Sequence, residues 1–339
     1  MSVLDLERLL APVAEGNPGG ADLEDDPKFV ELFILAKGKP ERQMGDAVVP
    51  AEPPDWRAVK QASLVLLERT RDLRIGELLA RALLRTDGLA GFTDGLALLR
   101  GWITDLWNEV HPRLDPDDPD PIRRTNTHAN LASYDATLVA VRDALIVAAP
   151  RAGHYSFRDA LVATGKLPPP AGFEGEPPST GILDAAFREV AVEEIRATTE
   201  TLDRALAETA GICNAMVEKV GDKKKAVCLD ELTTMLRAAR QYVAHQLTRR
   251  VEEGAGAAAA VDGGVGGRLP GAIRTRDDVV RTLDRLIEYF RRNEPASPVP
   301  LLLQRAKRLT GKSFLDIIRD IAPDSLTQVE AIRGPEEGG

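Results

Sequence analysis

Apolar residues recur every three or four positions along most of this chain, which is the spacing of one face of an α-helix. In the first 112 residues this spacing predicts helices over positions 2–11, 27–38, about fifteen residues after 55, 72–88 and 92–110. Asp55 is a good candidate to cap the third of these, because its carboxylate can accept hydrogen bonds from exposed N–H groups of the first turn. Asp72 begins the fourth, whose apolar residues recur at three and four: Leu73, Ile75, Leu78, Leu79, Ala82 and Leu83.

The middle of the chain continues this pattern after an interruption. Helix is expected from about Arg123 to Ala149, and residues 150–180 are expected to be a linker with local extended structure. Positions 168–181 are rich in proline and glycine, which is typical of a loop. Two or three long amphipathic helices are predicted over 182–252, and such helices fold as an antiparallel hairpin or join a bundle.

A spacer made almost entirely of glycine and alanine, residues 254–267, precedes the last part of the chain. Beyond it the pattern predicts three short helices, one after Thr275, one from Leu301 to Leu309 with Pro300 before it, and one after Ser313. Three such helices bury little area, so we expect copies of this module to associate. The candidates for its core or for an interface between copies are Leu283, Leu286, Ile287, Phe290, Leu302, Phe314, Ile317 and Ile318. The polar residues Arg291, Arg292 and Glu294 flank the break between the first two helices and are candidates for fixing the register.

Composition favours helix over sheet, because Ala, Leu and Arg dominate and aromatic residues make up 4% of the chain. We therefore expect an all-α protein. Its expected parts are an N-terminal helical bundle (1–165), a Pro/Gly-rich linker (166–181), a middle hairpin or small bundle (182–252), a flexible linker (253–270), a C-terminal helical oligomerisation module (271–324) and a disordered tail (325–339).

Charge and cysteine usage limit the partners and the compartment. A net charge of −9 argues against a general nucleic-acid binder, and the lysines at 223–225 are expected to be a solvated loop. Cys213 and Cys228 lack a metal-ligand spacing and are expected to be buried free thiols of a reducing compartment. The first residues lack the features of a signal peptide, and no apolar run approaches eighteen residues, so we expect a cytoplasmic protein without direct membrane insertion.

Candidate chemistry is sparse. The four histidines, at 111, 128, 154 and 245, do not have ligand spacing, and the acidic loop 115–121 lacks the glycine and distal glutamate of a calcium loop. Gly311-Lys312-Ser313 lacks the first glycine of a phosphate-binding loop. Trp56, Trp102 and Trp107 are expected to pack in the core, and His111 is expected to cap a helix end before Pro112. No catalytic residue, metal or cofactor is therefore expected.

Two blocks of the chain resemble the TssA family of bacterial type VI secretion, also called the ImpA family. In the first block the resemblance rests on Asp55, Trp56, Asp72, Leu73, Trp107, His111 and Pro112. The second block runs from 273 to 323 and resembles the short-tailed branch of the family, whose C-terminal region is similar to phage baseplate wedge proteins.

This resemblance implies a non-enzymatic, cytoplasmic assembly protein whose C-terminal region forms a homo-oligomeric ring. The implied partners are baseplate, sheath and inner-tube proteins, and the membrane complex at the inner membrane, and the implied role is to initiate or orient tube and sheath assembly. Residues 1–165 would be the arm that reaches outward. The alternative is a low-order adaptor or regulator that binds a single partner helix through the N-terminal bundle.

Overall fold

A computed structural model describes residues 2–39, 41–44, 47–115, 117, 120–170, 175–222, 226, 229–261, 276–293, 298–310 and 312. The described residues are predominantly helical, with two small two-stranded sheets. Contacts between residues divide the chain into a first unit, Met1–Glu253, and a second unit, Gly254–Gly339. The expected linker at 166–181 lies inside the first of these units.

The helices follow the predicted order through most of the first unit. They are α1 (Leu6–Leu10), α2 (Pro27–Lys37), α3 (Trp56–Leu66), α4 (Leu73–Thr86), α5 (Gly88–Asp105), α6 (Ile122–Ala129), α7 (Val139–Asp143), α8 (Phe157–Ala163), α9 (Thr180–Glu189), α10 (Val192–Val220) and α11 (Asp230–Val261). A π-helical turn, Tyr134–Leu138, leads directly into α7. The strands are β1 (Arg42–Met44), β2 (Ala47–Val49), β3 (Leu145–Ala149) and β4 (Gly153–Ser156).

The core of the first unit is built around α5, which packs against both α4 and α10. Phe92, Leu99 and Trp102 of α5 are fully buried. Gly95 allows the closest approach to α4, because a Cβ atom at this position would lie 2.6 Å from the Cβ of Ala80. A glycine is therefore required where the two helices cross.

Ion pairs also join α10 to α5. Arg204 lies 3.2 Å from Asp94, and Arg100 pairs with Glu208. Asp94 is buried, and its carboxylate also accepts hydrogen bonds from the Ser2 hydroxyl and from the backbone N–H of Leu4. The start of the chain, α5 and α10 therefore share one buried carboxylate.

Helices α9, α10 and α11 contact one another through buried apolar faces and polar contacts at the edges. Leu202 and Ile212 of α10 and Leu236 of α11 are fully buried. Asp203 of α10 pairs with Arg240 of α11 at 2.9 Å. The amphipathic helices predicted over 182–252 are therefore present, and they pack with the N-terminal helices in one unit.

The helix predicted from about 123 to 149 is present in two parts, and its predicted end is wrong. Helix α6 ends at Ala129, and the π-helical turn and α7 continue to Asp143. Beyond this point β3 pairs antiparallel with β4, which places Val147 opposite Tyr155. Ile146 and Val147 are β-branched, which favours a strand, and Gly153 has a φ of 100°, which suits the reversal of the chain. The segment 153–163 of the expected linker is regular structure: β4 is the predicted local extended structure, and it continues into α8, which Ser156 caps.

Two helix boundaries also differ from the prediction. Helix α5 begins at Gly88 and ends at Asp105 instead of covering 92–110. Helix α11 continues to Val261, so the first eight residues of the expected spacer are helical. Alanine is the strongest helix former, which explains why an alanine-rich stretch extends a helix that has already begun.

The second unit contains α12 (Arg276–Asn293) and α13 (Val299–Leu309), which pack against each other. Asp284 of α12 accepts a hydrogen bond from Lys307 of α13 at 2.6 Å. Pro300 lies at the second position of α13, where a missing N–H costs no helical hydrogen bond. The cap expected at Thr275 and the third helix expected after Ser313 lie outside the described residues.

Candidate functional site

The first pair of motif residues holds α3 against α4. The Asp55 carboxylate accepts hydrogen bonds from the backbone N–H groups of Arg57 and Ala58, both at 3.1 Å, which confirms the predicted cap. The Trp56 ring lies under the guanidinium of Arg85, 4.2 Å from the ring centroid. These contacts stabilise the fold, and Trp56 packs as expected.

The second set of motif residues joins the start of α4 to the loop after α5. Asp72 is fully buried; its carboxylate caps α4 at the N–H of Arg74 and pairs with the guanidinium of the same residue at 2.8 Å. The backbone N–H of Leu73 donates to the carbonyl of His111, and the N–H of His111 donates to the carbonyl of Arg71. The peptide bond between His111 and Pro112 is cis.

The expected role of His111 as a helix cap is wrong. Helix α5 ends six residues earlier, and the His111 ring is buried with Nε2 3.2 Å from the carbonyl oxygen of Gly20. This histidine therefore connects the loop after α5 to the turn at Gly20.

Arg124 is the residue that organises this loop, and the sequence interpretation missed it. Its side chain is fully buried, and the guanidinium donates to the carbonyl oxygens of Trp107, Val110 and Pro112. It also lies 4.5 Å from the centroid of the Trp107 ring. Burial lowers the pKa of Arg124 to about 10, so the group remains charged at neutral pH.

Arg71, which lies between α3 and α4, has a similar role. Its guanidinium donates to the carbonyls of Arg8, Ala11 and Leu67, so it holds the end of α1 against the end of α3. The sequence contained one signal for Arg124, a polar residue at a position with the spacing of a buried helical face. Arg124, Thr127, His128 and Leu131 repeat at three and four, and all are buried. Helical periodicity marks the buried face, but it does not reveal which carbonyls the arginine meets.

Two other buried titratable groups lie in the first unit. Burial raises the pKa of Glu77 to about 7, although the nearby guanidinium of Arg81, at 3.3 Å, opposes the shift. Burial and the charge of Arg124 lower the pKa of His128 to about 4, and both of its ring nitrogens lack a hydrogen-bond partner in the structure. Glu77 is 2% exposed and His128 is fully enclosed, so neither is presented to a substrate.

Metal-binding chemistry has no support in the described part of the chain, where no three His, Cys, Asp or Glu residues are grouped as ligands. Cys213 is a free thiol, half-buried rather than fully buried, and burial raises its pKa. Cys228 and the lysines at 223–225 lie outside the described residues. None of the helices within the described ranges is both long and apolar enough to cross a bilayer.

An exposed apolar surface lies on the outer side of α2. Val30 and Ile34, one helical turn apart, are 50% and 63% exposed. Ile34 also lines a groove of about 640 Å³ together with Lys37, Gly38, Lys39 and the segment 51–54. An isolated apolar side chain at a surface is ordinary, but an apolar stripe beside a groove is typical of a surface that receives another chain.

The module residues are distributed between the inner and outer sides of the second unit. Ile287 is buried, Leu283 and Phe290 are half-buried, and Leu286 and Leu302 are 42% and 65% exposed. Phe314, Ile317 and Ile318 lie outside the described residues. The structure therefore brings Leu283, Ile287 and Phe290 to the inner side and leaves Leu286 and Leu302 on the surface.

Comparisons with known proteins give a family profile over part of the first unit and a relative along nearly the whole chain. The family profile described as ImpA, N-terminal, type VI secretion system matches residues 10–133. The type VI secretion system component TssA1 of Pseudomonas aeruginosa is 38% identical over 348 residues, which cover 98% of this chain and 99% of that protein.

A solved structure shares the fold of the first unit. It is the N-terminal domain, including the conserved ImpA_N region, of the TssA component from Burkholderia cenocepacia. The match has a TM-score of 0.58 and 24% identity, and it covers 73% of this chain and 94% of that chain. Because a full-length relative is 38% identical, the chain belongs to the TssA family of type VI secretion components.

Proposed function

We propose that the protein is a non-enzymatic assembly component that forms a homo-oligomeric ring and binds baseplate, sheath and inner-tube proteins of a type VI secretion system. The observation that carries this proposal is the match to a type VI secretion component along 98% of the chain. It acts in the bacterial cytoplasm, where it helps to initiate or orient tube and sheath assembly, and reaches the inner membrane only through partners. Residues 1–165 supply the arm that reaches these partners.

The small apolar core between α12 and α13 supports oligomerisation. In the described part of this unit Ile287 is 5% exposed, whereas Leu286, Leu301 and Leu302 are 42%, 69% and 65% exposed. A pair of short helices with so little buried apolar area is marginal alone, and association with other copies removes further apolar surface from water. The ring therefore forms through this unit.

Mass photometry of the full chain and of a variant that lacks 271–339 tests the location of the interface. The full chain is expected to form multi-subunit particles at micromolar concentration, and the shortened variant is expected to form smaller ones. All three tryptophans lie in the first unit, so unchanged tryptophan emission would show that the first unit is intact in the variant. A full chain that is monomeric, or a variant with particles of full size, would contradict the proposed ring interface.

The role in secretion needs a cellular test. A type VI strain without its own TssA component should regain release of the tube protein when this chain is supplied, and it should fail to do so with the shortened variant. Failure of the full chain in the strain that encodes it would contradict an assembly role.

The second candidate function is an adaptor that binds one partner helix. The observation that favours it is the groove beside α2, which is lined by Ile34, Pro53 and Pro54. This candidate predicts a discrete low-order species and one dominant partner in pull-downs. It also predicts that Ile34→Asp abolishes capture of that partner, whereas Ile122→Asp, a change at another exposed isoleucine, does not.

A further inference from the structure

Positive charge is concentrated in the helices of the second unit. The sequences of α12 and α13 contain eight Arg or Lys residues and four Asp or Glu residues, although the whole chain has a net charge of −9. On α12, Arg281, Arg285 and Arg292 are exposed and lie four and seven residues apart. At 100° per residue these three positions fall within about 40° of one another, so they form one row along the helix. We call this set the arginine row.

The arginine row lies opposite the side of α12 that is covered. Ile287, the buried residue of the helix, is displaced by about 140° from the middle of the row, by the same geometry. Tyr289, which is 54% exposed, lies one turn after Arg285 and borders the row. Arg and Tyr are the residue types that contribute most often to the energetically dominant positions of protein interfaces.

Two members of the row have no ion-pair partner among the residues that the structure describes. Arg292 pairs with Glu288 at 2.8 Å, and Asp284 is occupied by Lys307 at 2.6 Å. Arg281 and Arg285 contact no carboxylate among the residues that the structure describes. Two neighbouring guanidiniums without a described carboxylate in contact repel each other, and this repulsion is relieved when an anionic surface approaches.

The composition of this face distinguishes between kinds of anionic partner. Glu288 lies between Arg285 and Arg292, at an exposed position of the same helix. A nucleic acid or an anionic membrane presents negative charge continuously and would repel this carboxylate. A protein surface can place carboxylates opposite Arg281 and Arg285 and a donor or an apolar group opposite Glu288. Planar guanidiniums also suit bidentate pairing with individual carboxylates.

We propose that the exposed face of α12 formed by the arginine row and Tyr289 binds an acidic surface of another protein. The interaction depends on carboxylates of the partner, is steered by charge and is weakened by salt. It is separate from ring formation, because the row faces away from the apolar side of the helix. This proposal rests on the proposed function only for the choice of proteins used as probes.

The test uses the full chain immobilised for biolayer interferometry. The probes are the purified tube, sheath and baseplate proteins of the same bacterium, a 20-base-pair DNA duplex, and phosphatidylglycerol vesicles. Binding is measured at 50 mM and 300 mM NaCl for the unmodified chain and for the charge-reversal variant R281E/R285E. The matched control is R196E/R237E, which changes net charge equally at exposed arginines of α10 and α11 that have no ion pair in the described part of the chain.

The expected result is that at least one acidic protein binds the unmodified chain at 50 mM NaCl. Its affinity is expected to fall about tenfold or more at 300 mM, and about tenfold or more in R281E/R285E, because surface charge pairs are screened by salt and lost on charge reversal. The control is expected to bind within about twofold of the unmodified chain, and all three proteins should form particles of the same size in mass photometry.

Other outcomes overturn the inference. Equal binding by R281E/R285E and the unmodified chain would place the partner elsewhere. Binding of DNA or vesicles with no acidic protein bound, or no binding at all at 50 mM NaCl, would show that the row has no acidic protein partner. Smaller particles for R281E/R285E would assign the row to contacts between copies. The proposed function would stand in each case if the full chain restored secretion.

Discussion

Replacing Arg124 tests whether hydrogen bonds to backbone carbonyls outweigh the cost of burying its charge. The side chain is fully enclosed and donates to three carbonyl oxygens, those of Trp107, Val110 and Pro112. Arg124→Lys keeps the charge, but an ammonium concentrates its donors at one point and cannot match a planar fork that reaches three acceptors. Arg124→Met removes both the charge and every hydrogen bond.

The stabilisation from the three hydrogen bonds is expected to exceed the cost of burying the charge. Three bonds from a charged donor contribute about 1.5–3 kcal/mol each, or about 5–9 kcal/mol together. Burial lowers the pKa of Arg124 to about 10, and this decrease corresponds to a cost of about 3 kcal/mol for the charged form. Arg124→Lys, which loses one or two bonds, is therefore expected to lower the free energy of unfolding by about 2–4 kcal/mol, and Arg124→Met by about 3–5 kcal/mol.

Urea denaturation followed by tryptophan emission measures this change in the first unit alone, because Trp56, Trp102 and Trp107 all belong to it. The control is Arg123→Lys at the neighbouring position. The Arg123 guanidinium lies 2.7 Å from the Glu24 carboxylate, and both side chains are largely exposed. An exposed pair contributes at most about 1 kcal/mol, so this variant should unfold close to the unmodified protein. An Arg124→Met protein as stable as the unmodified chain would show that the burial cost is dominant and would refute the reasoning.

Three other changes probe the same unit. Glu77→Gln removes a carboxyl whose folded pKa is raised to about 7 from 4.5, so the unmodified protein loses stability as the pH rises between those values and the variant does not. In urea denaturation the free energy of unfolding of the variant, relative to the unmodified protein, should therefore increase by about 2–3 kcal/mol from pH 5 to pH 8, and a constant difference would argue against a buried charge. Gly95→Ala places a Cβ atom 2.6 Å from the Cβ of Ala80. Calorimetry should show that the free energy of unfolding falls by about 1–2 kcal/mol, although alanine has the better helix propensity. A higher melting temperature would mean that α4 and α5 separate freely. Asp94→Ala removes the hydrogen bonds from Ser2 and Leu4 to the Asp94 carboxylate. Hydrogen exchange of the first residues should therefore accelerate about tenfold or more. Unchanged protection would show that apolar contacts hold these residues in place.

The features that the sequence predicted well depend on local interactions. Asp55 and Asp72 cap α3 and α4 because a carboxylate reaches N–H groups only two or three residues away. The buried face of α4 follows from helical spacing alone, and Trp102 is buried as expected. The resemblance to the TssA family was also carried by short blocks of sequence, and the full-length relative confirms it.

The features that the sequence did not predict depend on contacts between distant segments. Arg124 is buried because three carbonyls from the loop after α5 surround it, and periodicity does not reveal such acceptors. The β3–β4 hairpin replaces the end of a predicted helix because β3 gains β4 as a partner strand, with Val147 opposite Tyr155 eight residues later. The burial of His111 has the same origin, since its ring meets the turn at Gly20.

The packing of α10 on α5 determines where segments can be exchanged between members of the family in a chimera. The family profile ends at residue 133, but the helix that covers α5 begins at Val192. A chimera joined where the profile stops would pair α5 from one parent with α10 from the other, so Arg204 and Glu208 would have to match a foreign helix. A junction after Glu253 transplants both halves of that contact together, and it is the better place to cut.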